Sequence, residues 1–318
     1  MSSCASLRGI VSAFTTDYEI LKEHWKCKKD NVQLPDSLRD RFNSQEGLLL
    51  GFDGKMNICY FVKQKCPFGM SLYNSTLFVC DAKENAVYQY SCELEKIGVC
   101  KSKYFSDIHS IEIYDCSHMI ITSSGYDALV MLNSLTMKPH PIGVFEYTKC
   151  KSIRFNRFMR GFRSSRVQYA VPTERQITHI NYAIKSPIHY GSVIVSLFHQ
   201  GIVAEVDICT GRCEVLVENL NHPHSFFFYK KNVFVADSGN HRVNIYDSDS
   251  WKMIGFIDVG GWVQEIRLIT HSLSAKPLFS VINADYSVVY IVDIHTGNVV
   301  QKYEFDSMLR LSSCIFFE

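Results

Sequence analysis

Between residues 233 and 247 apolar and β-branched side chains form a run that breaks at Asp237, Ser238, Gly239 and Asn240, then resumes as Arg242, Val243, Asn244, Ile245 and Tyr246. Two such runs about a tight turn predict an antiparallel hairpin. With the preceding run, 224–229, the hairpin makes a three-strand template. It recurs at 69–74 with 77–91, at 109–115 with 119–133, at 179–185 with 192–207 and at 264–270 with 279–293. A sixth copy is divided: residues 47–62 supply two middle strands without a first, and residues 311–317 supply a first strand with nothing after it.

Short strands repeated at this spacing predict an all-β, six-bladed β-propeller. Its last blade is shared between the termini, which removes the exposed edges of an open stack. Seven blades are the alternative, because residues 149–176 have room for another hairpin. The N-terminal part reads differently. Asp17, Tyr18, Ile20, Leu21, His24 and Trp25 have approximate helical spacing and Pro35 interrupts the segment, which predicts a helical extension over 1–43 and a propeller over 44–318. The 233–247 hairpin also resembles the core of an NHL repeat, in which an Asp, Gly, Asn, Arg turn joins the second and third strands of a blade. That resemblance implies a propeller whose face binds a partner.

Composition narrows the classes. The chain has 318 residues, 47% hydrophobic and 13% aromatic, with 33 basic against 32 acidic side chains. This describes a globular protein and argues against extended polyanion binding. The apolar patch from Ile10 to Phe14 is too short for a signal peptide, and no run approaches the roughly 20 apolar residues of a membrane span. A cytoplasmic protein is expected. Twelve cysteines form no CxxC pair; Cys59, Cys80 and Cys314 fall in apolar strand patterns, as buried reduced thiols do.

The repeat alignment places His109, His179 and His224 at the start of the first strand in three blades, with Gln264 in the sixth and Gly69 in an early one. First strands line the channel of a propeller, so three imidazoles are expected to project toward one axis. Neutral imidazole is the commonest protein metal ligand, and three with an open fourth position suit a divalent metal, zinc or iron, that activates water or polarises a carbonyl. The alternative is that each His caps a strand start or bonds to a neighbouring blade. His199, in the second-to-third strand turn of its blade, is expected at the same end, supporting the metal ligands or acting as a general acid or base; an exposed turn histidine is the alternative. Asp81, Asp127, Asp237 and Asp285 fall in or beside these turns, where Asp is expected to stabilise the turn.

The arrangement resembles that of the peptidyl-amidoglycolate lyases, propellers that hold zinc with one His from each of three blades; His222, Pro223, His224 and Ser225 are similar to the Pro-His segment carrying one of those ligands. The resemblance implies lyase chemistry. Its secretory setting, and with it the substrate, is not carried over.

Between two repeats lies a basic excursion, 149–176, where Arg154, Arg157, Arg160, Arg163 and Arg166 recur every third residue with Phe155, Phe158 and Phe162 between them. That spacing groups the arginines on one side of a short helix. Arginine forks bind carboxylate, sulfate or phosphate oxygens two at a time. Alternating Arg and aromatic residues also suit RNA, and a solvated loop packed through its Phe residues is the third reading. The sequence thus predicts a metal-dependent lyase or hydrolase acting on a small anionic molecule held by Arg154, Arg157, Arg160, Arg163 and Gln264. A non-catalytic propeller that binds a protein or RNA is the alternative.

Overall fold

The computed structural model describes residues 8–15, 47–147, 153–157, 178–269, 276–307 and 309–317. Six antiparallel sheets are arranged as a six-bladed β-propeller. We number the blades in chain order from the closure. Blade 1 runs outward from Leu309–Phe317 through Arg8–Thr15 and Gly47–Phe52 to Ile58–Gln64. Blade 2 is Pro67–Tyr73, Thr76–Asp81, Ala86–Tyr90 and Lys96–Lys101. Blades 3 to 6 begin with the inner strands Ile108–Ile113, Ile180–Lys185, Pro223–Tyr229 and Val263–Ile269.

Burial explains why the pattern reads as it does. The second strand of a blade is covered on both faces by its neighbours, so Ser192–Leu197 and Leu278–Asn283 are buried throughout. Outer strands meet solvent and alternate, as Met253–Asp258 does. Between blades the apolar side chains form six clusters, one per interface; for example, Phe227, Phe234 and Val243 of blade 5 pack with Val263, Ile266 and Phe279 of blade 6.

Two expectations about the ends change. The strands Gly47–Phe52 and Ile58–Gln64 are third and fourth in blade 1, not the middle pair. The second strand is Arg8–Thr15, which pairs with the C-terminal strand in the register Val11 to Cys314 and Ile10 to Ile315. The apolar patch from Ile10 to Phe14 is therefore propeller, and Ile10, Val11 and Ala13 are fully buried. The helix expected around 17–25 lies outside the described residues. Residues Ile153–Arg157 add a fifth strand to the outer edge of blade 3 and build no seventh blade. Cys80 and Cys314 are buried as expected, whereas Cys59 is exposed on an outer strand; every described cysteine is free. Among the described residues no helix is long and apolar enough to cross a membrane.

Candidate functional site at the channel mouth

Each inner strand carries a β-bulge at or near its start, which leaves one side chain outside the ladder. In blade 3 the bulge lies between Ile108 and Ser110, in blade 4 between Ile180 and Tyr182, and in blade 6 between Val263 and Glu265. Equivalent irregularities follow Pro67 and Pro223 and separate Leu311 from Ser313. The residues that share this position are Phe68, His109, Asn181, His224, Gln264 and Ser312, and all six line one cavity on the axis.

His179 is therefore not on the ring with His109 and His224. It lies two positions ahead of its expected place, which Asn181 fills. The cause is the way the chain enters blade 4. Asp127 Oδ1 accepts the amides of Thr178 and His179 at 3.2 and 2.6 Å, and His179 takes a left-handed φ of 45° before the strand starts. Aspartates anchor other entries too: Asp237 accepts the Asn221 amide at 2.7 Å, Asp285 that of Trp262 at 2.9 Å, and Asp81 those of Lys65 and Cys66 at 3.1 Å. The expected turn-stabilising aspartates thus fix the channel rim. Arg242, of the opening hairpin, pairs with Asp237 at 3.3 Å.

The predicted histidines do meet at one mouth. The ring of His179 stands edge-on to that of His109, with centroids 4.8 Å apart, and lies 5.5 Å from the exposed ring of His199. His224 contacts Phe198 and Trp262, each at 5.4 Å, and Phe198 stacks obliquely on His222 at 4.3 Å. The result is a rim of imidazole and aromatic rings. Burial holds His179 well below the usual imidazole pKa, with His109 beside it acting in the same sense. Burial likewise pushes His224 down to about 3.

The protonation pattern of His224 follows from its partners. Its Nδ1 lies 3.1 Å from His222 O, which only accepts, and 2.8 Å from Ser238 Oγ, which gives its own proton to Val263 O. Nδ1 must then carry the hydrogen, and the neutral ring keeps an accepting lone pair on Nε2. His109 Nε2 donates to Asp107 Oδ1 at 3.2 Å. Among the described residues no group of three or more His, Cys, Asp or Glu side chains is arranged to hold a metal ion.

Below the ring lies an ion-pair network that the repeat pattern does not announce. Arg267 donates to Glu112 at 2.6 Å, to Glu265 at 3.1 Å and to Met70 O at 2.9 Å. Tyr182 donates to Glu112 at 2.8 Å, while Ser313 and the Cys314 amide donate to Glu265 at 2.7 and 2.9 Å. Burial raises the Glu112 pKa, opposed by Arg267. Burial alone would lower Arg267, but Glu112 and Glu265 more than offset it. A sequence signal existed: Glu112, Glu265 and Arg267 put charge into inner strands whose neighbouring positions, Ile111, Ile113, Ile266 and Leu268, are apolar. Three residues that line the same cavity each carry a buried polar atom with no protein partner, namely Asn181 Oδ1, Ser312 Oγ and Arg267 Nε. The cavity volume is about 30 Å³, room for a water-sized or slightly larger group.

Gln264 joins the site, accepting a hydrogen bond from Trp262 Nε1 at 3.2 Å. The arginines do not. Arg154 and Arg157 are exposed on the fifth strand of blade 3, at its outer edge, and form part of a strand where their spacing suggested a helix. Arg160, Arg163 and the rest of the excursion lie outside the described residues.

No protein-family model matches the chain, and no curated protein is similar to it in sequence. Its likeness is to solved propeller structures. A chain of the nidogen/laminin complex superposes with a TM-score of 0.62 at 10% identity, covering 97% of this chain and 98% of that one. A protein of unknown function from Bacteroides caccae gives 0.61 at 12%, over 85% and 94% of the two chains. The calcium-binding protein regucalcin from Agrobacterium tumefaciens gives 0.52 at 14%, over 75% and 74%. At such identities the likeness is one of fold, and function has to be argued from the site itself.

Proposed function

We propose that this propeller binds a small, uncharged polar molecule at the channel mouth. The head group, a hydroxyl or primary amide, enters the ring of Asn181, His224, Gln264 and Ser312, and an apolar body rests on Phe198 and Trp262. The observation that carries this reading is the set of unpartnered buried atoms on the cavity-lining residues, Asn181 Oδ1, Ser312 Oγ and Arg267 Nε. Leaving such atoms unpaired costs about 1–3 kcal/mol each. Together with His224 Nε2 they offer acceptors and a donor side by side, which an amide or hydroxyl satisfies and a bare anion or ammonium does not.

Charge supports the same choice. The lining holds Glu112 and Glu265 against Arg267, so it does not favour an anion, and Arg154 and Arg157 are too peripheral to help one. Binding is also better supported than proton transfer. With its pKa near 3, His224 is a weak base near neutrality and serves as a hydrogen-bond acceptor.

The test is a matched panel of benzamide, benzoate and benzylammonium, measured by titration calorimetry on the full chain and on Ser312→Ala. Benzamide should bind most tightly, and the variant should weaken it about tenfold, the worth of roughly one hydrogen bond. Preference for benzoate would restore the anionic reading, and near-stoichiometric zinc in untagged protein would restore the metal one. A protein-interaction role is the second reading. It is favoured by the exposed apolar side chains Met253, Ile254 and Phe256 on the outermost strand of blade 5.

A further inference from the structure

Away from the channel, the outer halves of blades 1 and 2 enclose a groove with a volume of about 340 Å³, lined by Val62, Lys63, Gln64, Lys65, Glu84, Tyr88, Tyr90, Leu94 and Lys96. That volume lies within the usual range for small-molecule sites, whereas the channel cavity is far below it. The walls come from the outermost strand of blade 1 and the third strand of blade 2. Val62 packs against an apolar cluster that contains Tyr88, Tyr90 and Leu94. The Tyr88 and Tyr90 rings are nearly parallel, 22° apart with centroids separated by 6.1 Å. Both residues line the groove.

The rim is cationic. Three of the lining residues are lysines and one is acidic. Glu84 already accepts the Tyr88 hydroxyl and faces Lys101 at 3.9 Å. Lys96 Nζ sits 4.6 Å from the centre of the Tyr88 ring, a cation–π contact that holds the ammonium at the groove edge. Deeper in, Gln64 Nε2 donates to Tyr90 Oη. The phenol oxygen is then an acceptor, and its own proton remains to be donated. Tyr90 is only 2% exposed and lines the groove, so this is a buried donor beside a cationic rim.

We infer that the groove is a second binding site, for a flat apolar anion such as an aromatic carboxylate. The ring system fills the groove between Val62 and Leu94, and the carboxylate meets the ammonium of Lys96 with the Tyr90 hydroxyl as donor. The site is independent of the channel and takes a ligand of different charge.

The test uses 2-naphthoate, with 2-naphthylmethylammonium as the cationic counterpart, in calorimetric titrations of the full chain. Naphthoate should bind with one-to-one stoichiometry and at least tenfold more tightly than the cation. Lys96→Glu, at an exposed position, should weaken it at least tenfold with the thermal midpoint unchanged. Val62→Trp, which fills the groove, should do the same, and Ser312→Ala in the channel should leave it unaltered. Equal binding of the two probes, retention of affinity in both groove variants, or no naphthoate binding by the parent chain would overturn the inference.

Discussion

Arg267 of blade 6 reaches across the channel to Glu112 of blade 3, with Nη2 2.6 Å from Oε1. The two blades are opposite one another in the ring, so this contact spans the axis instead of joining neighbours. With Glu265 on the same guanidinium, it sets the narrow floor under the ring of Asn181, His224 and Ser312.

That geometry predicts a large effect of breaking the network on one side. Arg267→Met leaves two buried carboxylates without their cation and should lower the unfolding free energy by roughly 3–5 kcal/mol. Replacing Glu112, Glu265 and Arg267 together with apolar residues of similar volume should recover much of the loss. Urea unfolding, followed by tryptophan fluorescence, distinguishes the two variants.

Asp237 is fully buried and accepts from the Asn221 amide at 2.7 Å, Asn240 at 2.8 Å, Asn244 at 3.0 Å and Arg242 at 3.3 Å. Asp237→Ala should cost on the order of 3 kcal/mol, since it strands several donors at once. Because the Asn221 amide sits just ahead of His222 and His224, hydrogen exchange should quicken at the amides of Asn221, His222 and His224 in this variant.

The pH dependence has a defined sign. His224 titrates at about 3 in the fold, against an ordinary value of 6.5. Between these values the unfolded chain holds a proton that the native chain does not, so stability falls as pH drops from 6.5, by up to ~1.4 kcal/mol per pH unit for this one group. His179, also depressed, adds in the same direction. Glu112 opposes them, because its raised carboxyl takes up a proton in the fold first. His224→Gln should flatten the slope of stability against pH below 6.5 and leave stability above 6.5 free of that dependence.

The ring register yields a gain-of-function test. Asn181→His places a third imidazole at the position that His109 and His224 occupy in their blades. The variant should bind cobalt or zinc at least tenfold more tightly than the parent chain, in which the third histidine, His179, lies two residues away. Cobalt absorption in the visible range reads this directly, and equal affinity in the two proteins would refute the register argument.

The repeat of apolar runs and turns was enough to determine the propeller blades and the closing of the ring by both ends, and it favoured six blades over seven; the pairing of Ile153–Arg157 with the edge of blade 3 decided the number. Covered second strands have to be apolar on both faces, and turns between strands need Asp, Asn and Gly. The same text indicated a histidine-rich mouth, and His109, His179, His199 and His224 do gather there. Alignment on the apolar flanks of Ile108, Ile180 and Val263, in place of the histidines, would have put Asn181 on the ring. Tertiary structure decided the rest. A bulge moves one side chain out of the ladder while leaving the hydrophobic pattern intact, so the ring of Phe68, His109, Asn181, His224, Gln264 and Ser312 emerges only when six strands meet. The pairing of Glu112 with Arg267 joins residues 155 positions apart and depends on the diameter of the closed ring. Arg154 and Arg157 turned outward for a related reason: their segment found an open edge on blade 3, and an unpaired edge strand accepts another strand more readily than a short isolated helix forms.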